Sequence, residues 1–337
     1  MVNIENLVRS NIRALKPYSS ARQEYDGSAG IFLDANESPY GVLNRYPDPL
    51  QLLVRNKLSQ LKGVSIDQLC LGNGSDEVID LIIRIFCEPQ MDKVIICPPT
   101  YGMYEVCAGI NNVEVIYSPL LKDFQPDVES ILSNKAKVLF LCSPNNPTGN
   151  CLNRIEEILL KFEGIVFIDE AYIDFCKDRS LLCLIEKYPN LIISQTFSKA
   201  WGHAGLRVGV AYADKKIIDL ILKVKPPYNI NELSQQHLLN SLNDIENYER
   251  NIQSVLIEKQ RLFIELNKVD GIENVYPSDA NFLLIRVKDA DDLYNYLLRR
   301  GIVVRNRNSI ISNCVRITIG SPNENTELID ALKIYKG

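Results

Sequence analysis

Between residues 65 and 215 the chain alternates short, unbroken apolar runs with stretches of helical periodicity, and this alternation restricts the fold more than any other feature. The runs fall at 94–97, 113–117, 138–142, 165–169, 191–195 and 208–212. They are long enough for strands and too apolar to keep one face in water. Between several of them the apolar residues recur at helical spacing, as in Val78, Ile82 and Ile85. Strands buried on both faces and separated by helices predict an α/β fold, a mostly parallel sheet covered by helices. Ligands of such sheets collect at the carboxyl ends of the strands.

The flanking regions complete a three-part organisation. Residues 1–28 form a polar arm, extended or in short helices. Residues 29–226 form the large domain, and Lys225-Pro226-Pro227 breaks the chain after it. Residues 227–337 form a smaller α/β domain. In it, Ile245, Tyr248, Ile252, Val255, Leu262 and Leu266 mark a long helix. Strands are predicted at 282–287, 302–305 and 315–319, with helices near 290–300 and 323–336.

Bulk properties exclude several classes. The hydrophobic content of 46% and the formal net charge of −5 suit a folded domain and offer no basic stripe for nucleic acid. The first twenty residues carry charges every few positions and lack the apolar centre of a signal peptide. No run approaches a membrane span. Nine cysteines without a C-x-x-C pair, and only two histidines, argue against a zinc site or a disulfide framework. Cys97, Cys142 and Cys314 sit in or beside apolar runs and read as buried thiols of a reducing compartment.

Polar groups cluster where the runs end. Thr196, Ser198, Lys199 and Arg207 place an amine beside two hydroxyls and a guanidinium. An amine next to a phosphate cradle is what pyridoxal 5'-phosphate (PLP) requires, because the amine holds the aldehyde as a Schiff base. Gly72-Asn73-Gly74-Ser75-Asp76-Glu77 closes a strand and opens a helix. It is either an anion-binding turn or an ordinary one whose acids complement the helix dipole. In 143–149, SPNNPTG, two prolines fix an asparagine pair at a strand end. Asp169 and Glu170 end the run at 165–169. A carboxylate there would keep a pyridine nitrogen protonated, and Tyr172 could hold the ring oxygen. Metal binding by this acid pair is the weaker reading, since neither histidine lies near. Tyr101 could stack on a flat cofactor or pack in its loop. Arg316, in VRITI, suits bidentate capture of a carboxylate or could be a surface arginine of an edge strand.

In this order the segments LDANESPYG, NRYPDP, GNGSDE, CPPTYGMY, CSPNNPTG, DEAY, SKAWGHAGLR and VRITIG, with KPYSSAR near the start, resemble the fold-type I PLP-dependent aminotransferases. They are most similar to the branch that acts on histidinol phosphate. The resemblance implies amino transfer between L-glutamate and imidazole acetol phosphate, PLP as cofactor, and a cytoplasmic homodimer with shared sites. It implies Lys199 as the Schiff-base lysine and proton carrier, Asp169 opposite the ring nitrogen, Asn146 and Tyr172 at the ring oxygen, and Tyr101 stacked on the ring. Ser75, Asp76, Thr196, Ser198 and Arg207 would hold the cofactor phosphate, with Tyr46 reaching the neighbouring subunit's cofactor. Arg316 would bind the α-carboxylate, and Tyr18 and Arg305 the substrate phosphate. Arg307 lies close enough in sequence to compete with Arg305 for that phosphate. His203 departs from the family pattern and reads as a loop substitution. An aromatic amino acid aminotransferase and a threonine-phosphate decarboxylase would keep the same cofactor residues. A non-catalytic PLP-binding regulator is a further alternative.

Overall fold

The computed structural model describes residues 2–18 and 30–335; residues 19–28 of the expected arm, with the end of KPYSSAR, lie outside them. Two short helices, α1 (Ile4–Leu7) and α2 (Ser10–Ala14), open the chain. The next elements are α3 (Leu52–Lys62), β1 (Leu69–Asn73), α4 (Gly74–Phe86), β2 (Lys93–Ile96), α5 (Met103–Ile110) and β3 (Glu114–Tyr117). Then come α6 (Val128–Ser133), β4 (Val138–Cys142), α7 (Ile155–Lys161), β5 (Ile165–Asp169), β6 (Leu191–Thr196) and β7 (Val208–Ala213). Helices α8 (Lys215–Val224), α9 (Glu232–Leu242) and α10 (Ile245–Leu266) lead to β8 (Ile272–Val275) and β9 (Phe282–Val287). Helix α11 (Ala290–Arg299), β10 (Arg305–Asn306), β11 (Cys314–Thr318) and α12 (Pro322–Lys333) complete the fold.

Seven strands form the large sheet in the order β1-β7-β6-β5-β4-β2-β3. All apolar runs expected to be strands are in it. Strand β7 runs antiparallel to both β6 and β1. Its residues are buried throughout, as in a parallel strand, so hydropathy alone does not show the reversal. The pleat sends successive side chains to opposite faces. Leu139 and Leu141 of β4 join one core layer, while Val138 and Phe140 join the other. Helices α3, α6, α7 and α9 supply the first layer through Leu58, Ile131, Ile158 and Leu238. Helices α4, α5 and α8 supply the second through Ile82, Ala108 and Ile218, joined by Ile4 and Ile12 of the N-terminal helices.

A second sheet, β10-β11-β9-β8, is antiparallel throughout. Leu293 and Leu297 of α11 and Leu328 and Leu332 of α12 cover it. Helix α10 links the two cores: Tyr248 and Ile252 pack with the large sheet, Leu262 and Leu266 with the small one. The expected strand at 302–305 is instead only the two residues of β10. Gly301 takes a positive φ of 74° and Val303 is exposed, so the preceding residues turn without pairing. Strand β8 has no clear apolar alternation and was not anticipated. Among the described residues no helix is long and apolar enough to cross a membrane.

The antiparallel β7 also brings the chain back against the start of α4. A Cβ on Gly209 would lie 2.5 Å from the backbone nitrogen of Ser75 and 2.6 Å from the carbonyl carbon of Gly74. Gly209→Ala is therefore expected to destabilise the fold by about 1–3 kcal/mol, the usual cost of overpacking. Urea unfolding of the cofactor-free protein measures this, and an unchanged midpoint would contradict so close a contact.

Candidate active site

The carboxyl ends of β1, β4, β5 and β6 open on a cleft of about 400 Å³, closed on one side by the β10–β11 end of the small sheet. It is lined by Ser75, Asp76, Tyr101, Asn146, Asp169, Tyr172, Thr196, Ser198, Lys199, Arg207, Arg305 and Arg316. Cys142, Ala171, Ala204 and Arg307 complete the wall. Of the residues singled out in the sequence, Tyr18 and Tyr46 lie outside this lining. Tyr18 is 69% exposed. Tyr46 stacks on Tyr228 with ring centroids 4.5 Å apart.

Asp169 and Glu170 are neighbours with opposite environments, as the strand pleat requires. Glu170 turns away from the cleft. Its carboxylate accepts from the backbone N–H of Leu181 (2.7 Å), Ser180 Oγ (2.8 Å) and Gln195 Nε2 (2.9 Å). Asp169 faces the cleft and accepts from Tyr104 Oη (2.8 Å) and the N–H of Ala171 (3.1 Å). Burial raises its carboxyl to about 6, against those two hydrogen bonds and the Lys199 ammonium. Among the described residues no group of three His, Cys, Asp or Glu side chains is placed to hold a metal ion.

Lys199 follows the end of β6, with Nζ 5.7 Å from the centroid of the Tyr172 ring. Its side chain is open to the cleft, yet the enclosing walls strip some water from the ammonium. That partial burial, with the charge of Arg316, lowers its proton affinity. Tyr172 is buried and meets Phe282 edge-on at 5.1 Å. Burial pushes its hydroxyl up, and the nearby Arg316 and Arg307 pull it back.

At the other end, α4 begins without a side-chain cap. The N–H of Gly74 donates to the Arg207 carbonyl at 2.8 Å. The next N–H groups, of Ser75 and Asp76, add the positive end of the helix to the cleft. Gly74 has a φ of 74°, and a Cβ there would stand 2.6 Å from Arg207 Nη2, so the guanidinium lies over this turn only because the residue is glycine. Arg207 pairs with Asp76 at 3.6 Å, and Tyr101 Oη donates to the same carboxylate at 3.0 Å. Thr196 Oγ1 donates to Ser198 Oγ at 3.1 Å.

Three arginines crowd the small-sheet side. Arg305 and Arg316 are directly paired across β10 and β11, a like-charge pairing that costs stability by itself. Arg316 Nη1 donates to Asn146 Oδ1 at 2.5 Å and Arg307 Nη2 to the same oxygen at 3.5 Å. The Nε atoms of Arg307 and Arg316 are buried without a partner. Among the described residues none of the three pairs with a carboxylate. Burial and the other two arginines lower Arg307 to about 10. Such a cluster suits anions that are not part of the chain.

Asn145 looks inward, donating to Thr148 Oγ1 (2.8 Å) and the Pro99 carbonyl (2.9 Å), so only Asn146 of the pair faces the cleft. Sequence reasoning missed Tyr104 as the residue that orients Asp169. Its spacing of three from Tyr101, at the start of a helix, was the available signal. His203 is outside the cleft lining, with Nε2 2.7 Å from Ser241 Oγ and its ring edge-on to His237.

Comparison with known proteins gives the class. Residues 32–332 match the family described as aminotransferase class I and II, and the chain belongs to it. Within that class the similarity is narrow. The chain is 51% identical to histidinol-phosphate aminotransferase of Parabacteroides distasonis over 344 residues, all of both chains. The crystal structure of histidinol-phosphate aminotransferase from Clostridium acetobutylicum has a TM-score of 0.79 at 29% identity, covering 86% of this chain and 90% of that one. That from Sinorhizobium meliloti, in complex with PLP, has a TM-score of 0.80 at 22% identity, covering 89% of each, and shows a shared fold.

The raised carboxyl of Asp169 has a direct consequence for the cofactor-free protein. Its folded value of about 6 exceeds the ordinary 3.8. The associated stability is thus complete below about pH 4 and lost as pH rises through about 6. Asp169→Asn does not titrate. Relative to wild type, it should gain about 3 kcal/mol between about pH 4 and pH 8, at about 1.4 kcal/mol per tenfold change in proton affinity. Unfolding curves across that range check this, and a pH-independent difference would contradict a buried, unpaired carboxylate.

Proposed function

We propose that this aminotransferase moves the amino group of L-glutamate to imidazole acetol phosphate through PLP, giving L-histidinol phosphate and 2-oxoglutarate in a ping-pong cycle. The observation that carries the reading is the trio Arg305, Arg307 and Arg316, without a carboxylate partner among the described residues, at the mouth of a cleft whose floor holds Lys199 and Asp169. The residues fit PLP on three counts. Asp169 is a buried carboxylate without a cation bonded to it. The Gly74 turn leaves an anion cradle that a Cβ would fill. Lys199 is an amine of lowered proton affinity.

The N–H groups of Ser75 and Asp76, the hydroxyls of Thr196 and Ser198, and Arg207 would hold the cofactor phosphate. Asp169 would keep the ring nitrogen protonated, and Tyr101 would help hold the ring. The Asn146 oxygen is engaged by arginines, so its amide N–H is left to donate to the ring oxygen beside Tyr172. When bound, PLP supplies an electron sink that makes the substrate α-hydrogen acidic. Lys199 Nζ takes the proton from the α-carbon and holds it for return. Arg316 would orient the α-carboxylate of L-glutamate. Arg305 and Arg307, with Tyr18, receive the substrate phosphate.

The same reading makes the protein a cytoplasmic homodimer in which Tyr46 reaches the neighbouring cofactor phosphate. In its favour, Ile31, Leu33, Tyr40 and Val42 are each at least 85% exposed near Tyr46, as residues awaiting a second subunit would be. Nine unpaired thiols suit a reducing compartment.

The test is a half-reaction. PLP-loaded protein is mixed with histidinol phosphate and no keto acid, and the cofactor absorbance is followed. One turnover per site with release of imidazole acetol phosphate is expected. A response to phenylalanine but not to histidinol phosphate would favour the aromatic enzyme, and release of carbon dioxide from threonine phosphate the decarboxylase. Arg305→Ala and Arg307→Ala should each lower kcat/KM for histidinol phosphate about 10- to 100-fold, the scale of a charged hydrogen bond, and spare histidinol. Equal losses on both substrates would contradict the phosphate assignment.

A further inference from the structure

Cys151 and Cys176 lie with their sulfurs 3.6 Å apart, although 25 residues separate them in sequence. Cys151 sits at the end of the loop after β4 that carries Asn146. Cys176 sits at the end of the segment that follows Asp169 of β5 and carries Tyr172. The backbone of Cys151 is fixed: its N–H donates to Asp279 at 2.8 Å, and its carbonyl accepts from Gln125 at 3.3 Å. Cys176 is partly buried, while Cys151 is buried. The Lys259 ammonium is held by the carbonyls of Ser278 (2.8 Å) and Ala280 (3.0 Å). Six other thiols are buried, and the exposed Cys183 is not in sulfur–sulfur contact with another cysteine.

We propose that Cys151 and Cys176 form a dithiol site for a two-electron peroxide oxidant, closing to a disulfide that ties the β4 and β5 walls of the cleft together. Cys176, the more accessible of the two, meets the oxidant first. Its sulfur attacks one peroxide oxygen, the O–O bond breaks, and hydroxide leaves as water, giving a sulfenic acid. The Cys151 sulfur then attacks the Cys176 sulfur, the S–O bond breaks, and a second water leaves with the Cys151 proton. Two thiols are oxidised to one disulfide and one peroxide is reduced to two waters. The sulfurs need approach by less than two ångströms to reach bonding distance. This inference is independent of the substrate.

The full-length protein is treated with one equivalent of hydrogen peroxide per chain, alkylated, and mapped without reduction. Titratable thiols in denaturant should fall from the nine of the sequence by two, with a 151–176 cross-linked peptide that dithiothreitol removes. Cys183→Ser should leave this product unchanged, and Cys176→Ser should abolish it while Cys151 stays alkylatable. Oxidation confined to Cys183, or a map in which 151 and 176 both remain alkylated after peroxide, would overturn the proposal. Because the wild-type map alone decides this, failure of a variant to fold does not shield it.

Discussion

One buried carboxylate sets the terms for the cleft. Asp169 ends β5 inside a sheet covered on both faces, where water cannot solvate its charge. Tyr104 and the N–H of Ala171 give it two hydrogen bonds, and these leave burial the dominant influence. The surrounding structure is arranged so that a cation arriving in the cleft finds a negative partner already fixed. Tyr104 is itself fully buried and stacked on Phe140 at 5.0 Å, so the donor that orients Asp169 is anchored in the core. A chain of packing thus runs from the sheet interior to the reacting end of the site.

The opposite wall has the opposite imbalance. Arg305, Arg307 and Arg316 repel one another and lack carboxylate partners among the described residues. Cross-strand pairing of β10 with β11 forces two of them side by side. Only oxygens such as Asn146 Oδ1 soften the cluster. The chain therefore stores unsatisfied negative charge at the floor and unsatisfied positive charge at the mouth. A positively charged heterocycle and doubly anionic substrates would satisfy both.

Much of this was legible in the sequence because the governing physics is local. Continuous apolar runs mark strands buried on both faces, and polar residues at their ends mark the site. Asp169, Asn146, Lys199 and Arg207 could be picked out on those grounds. What was not legible depends on direction and register. Strand β7 is as apolar as its parallel neighbours, so its reversal is invisible to hydropathy. The pleat decides that Asp169 and not Glu170 faces the cleft, and strand phase is not fixed by a run apolar throughout. The pairing of Arg305 with Arg316 depends on a two-residue strand after Gly301. The contact between Cys151 and Cys176 joins two loops whose course no local pattern specifies.

The central claim is that Lys199 is the amine that meets the cofactor across from Asp169. Reduction of the PLP-loaded protein with borohydride, followed by peptide mapping, addresses it directly. The account predicts one stable pyridoxyl adduct per chain, on Lys199. A protein that takes up no PLP, or an adduct on another lysine, would contradict it.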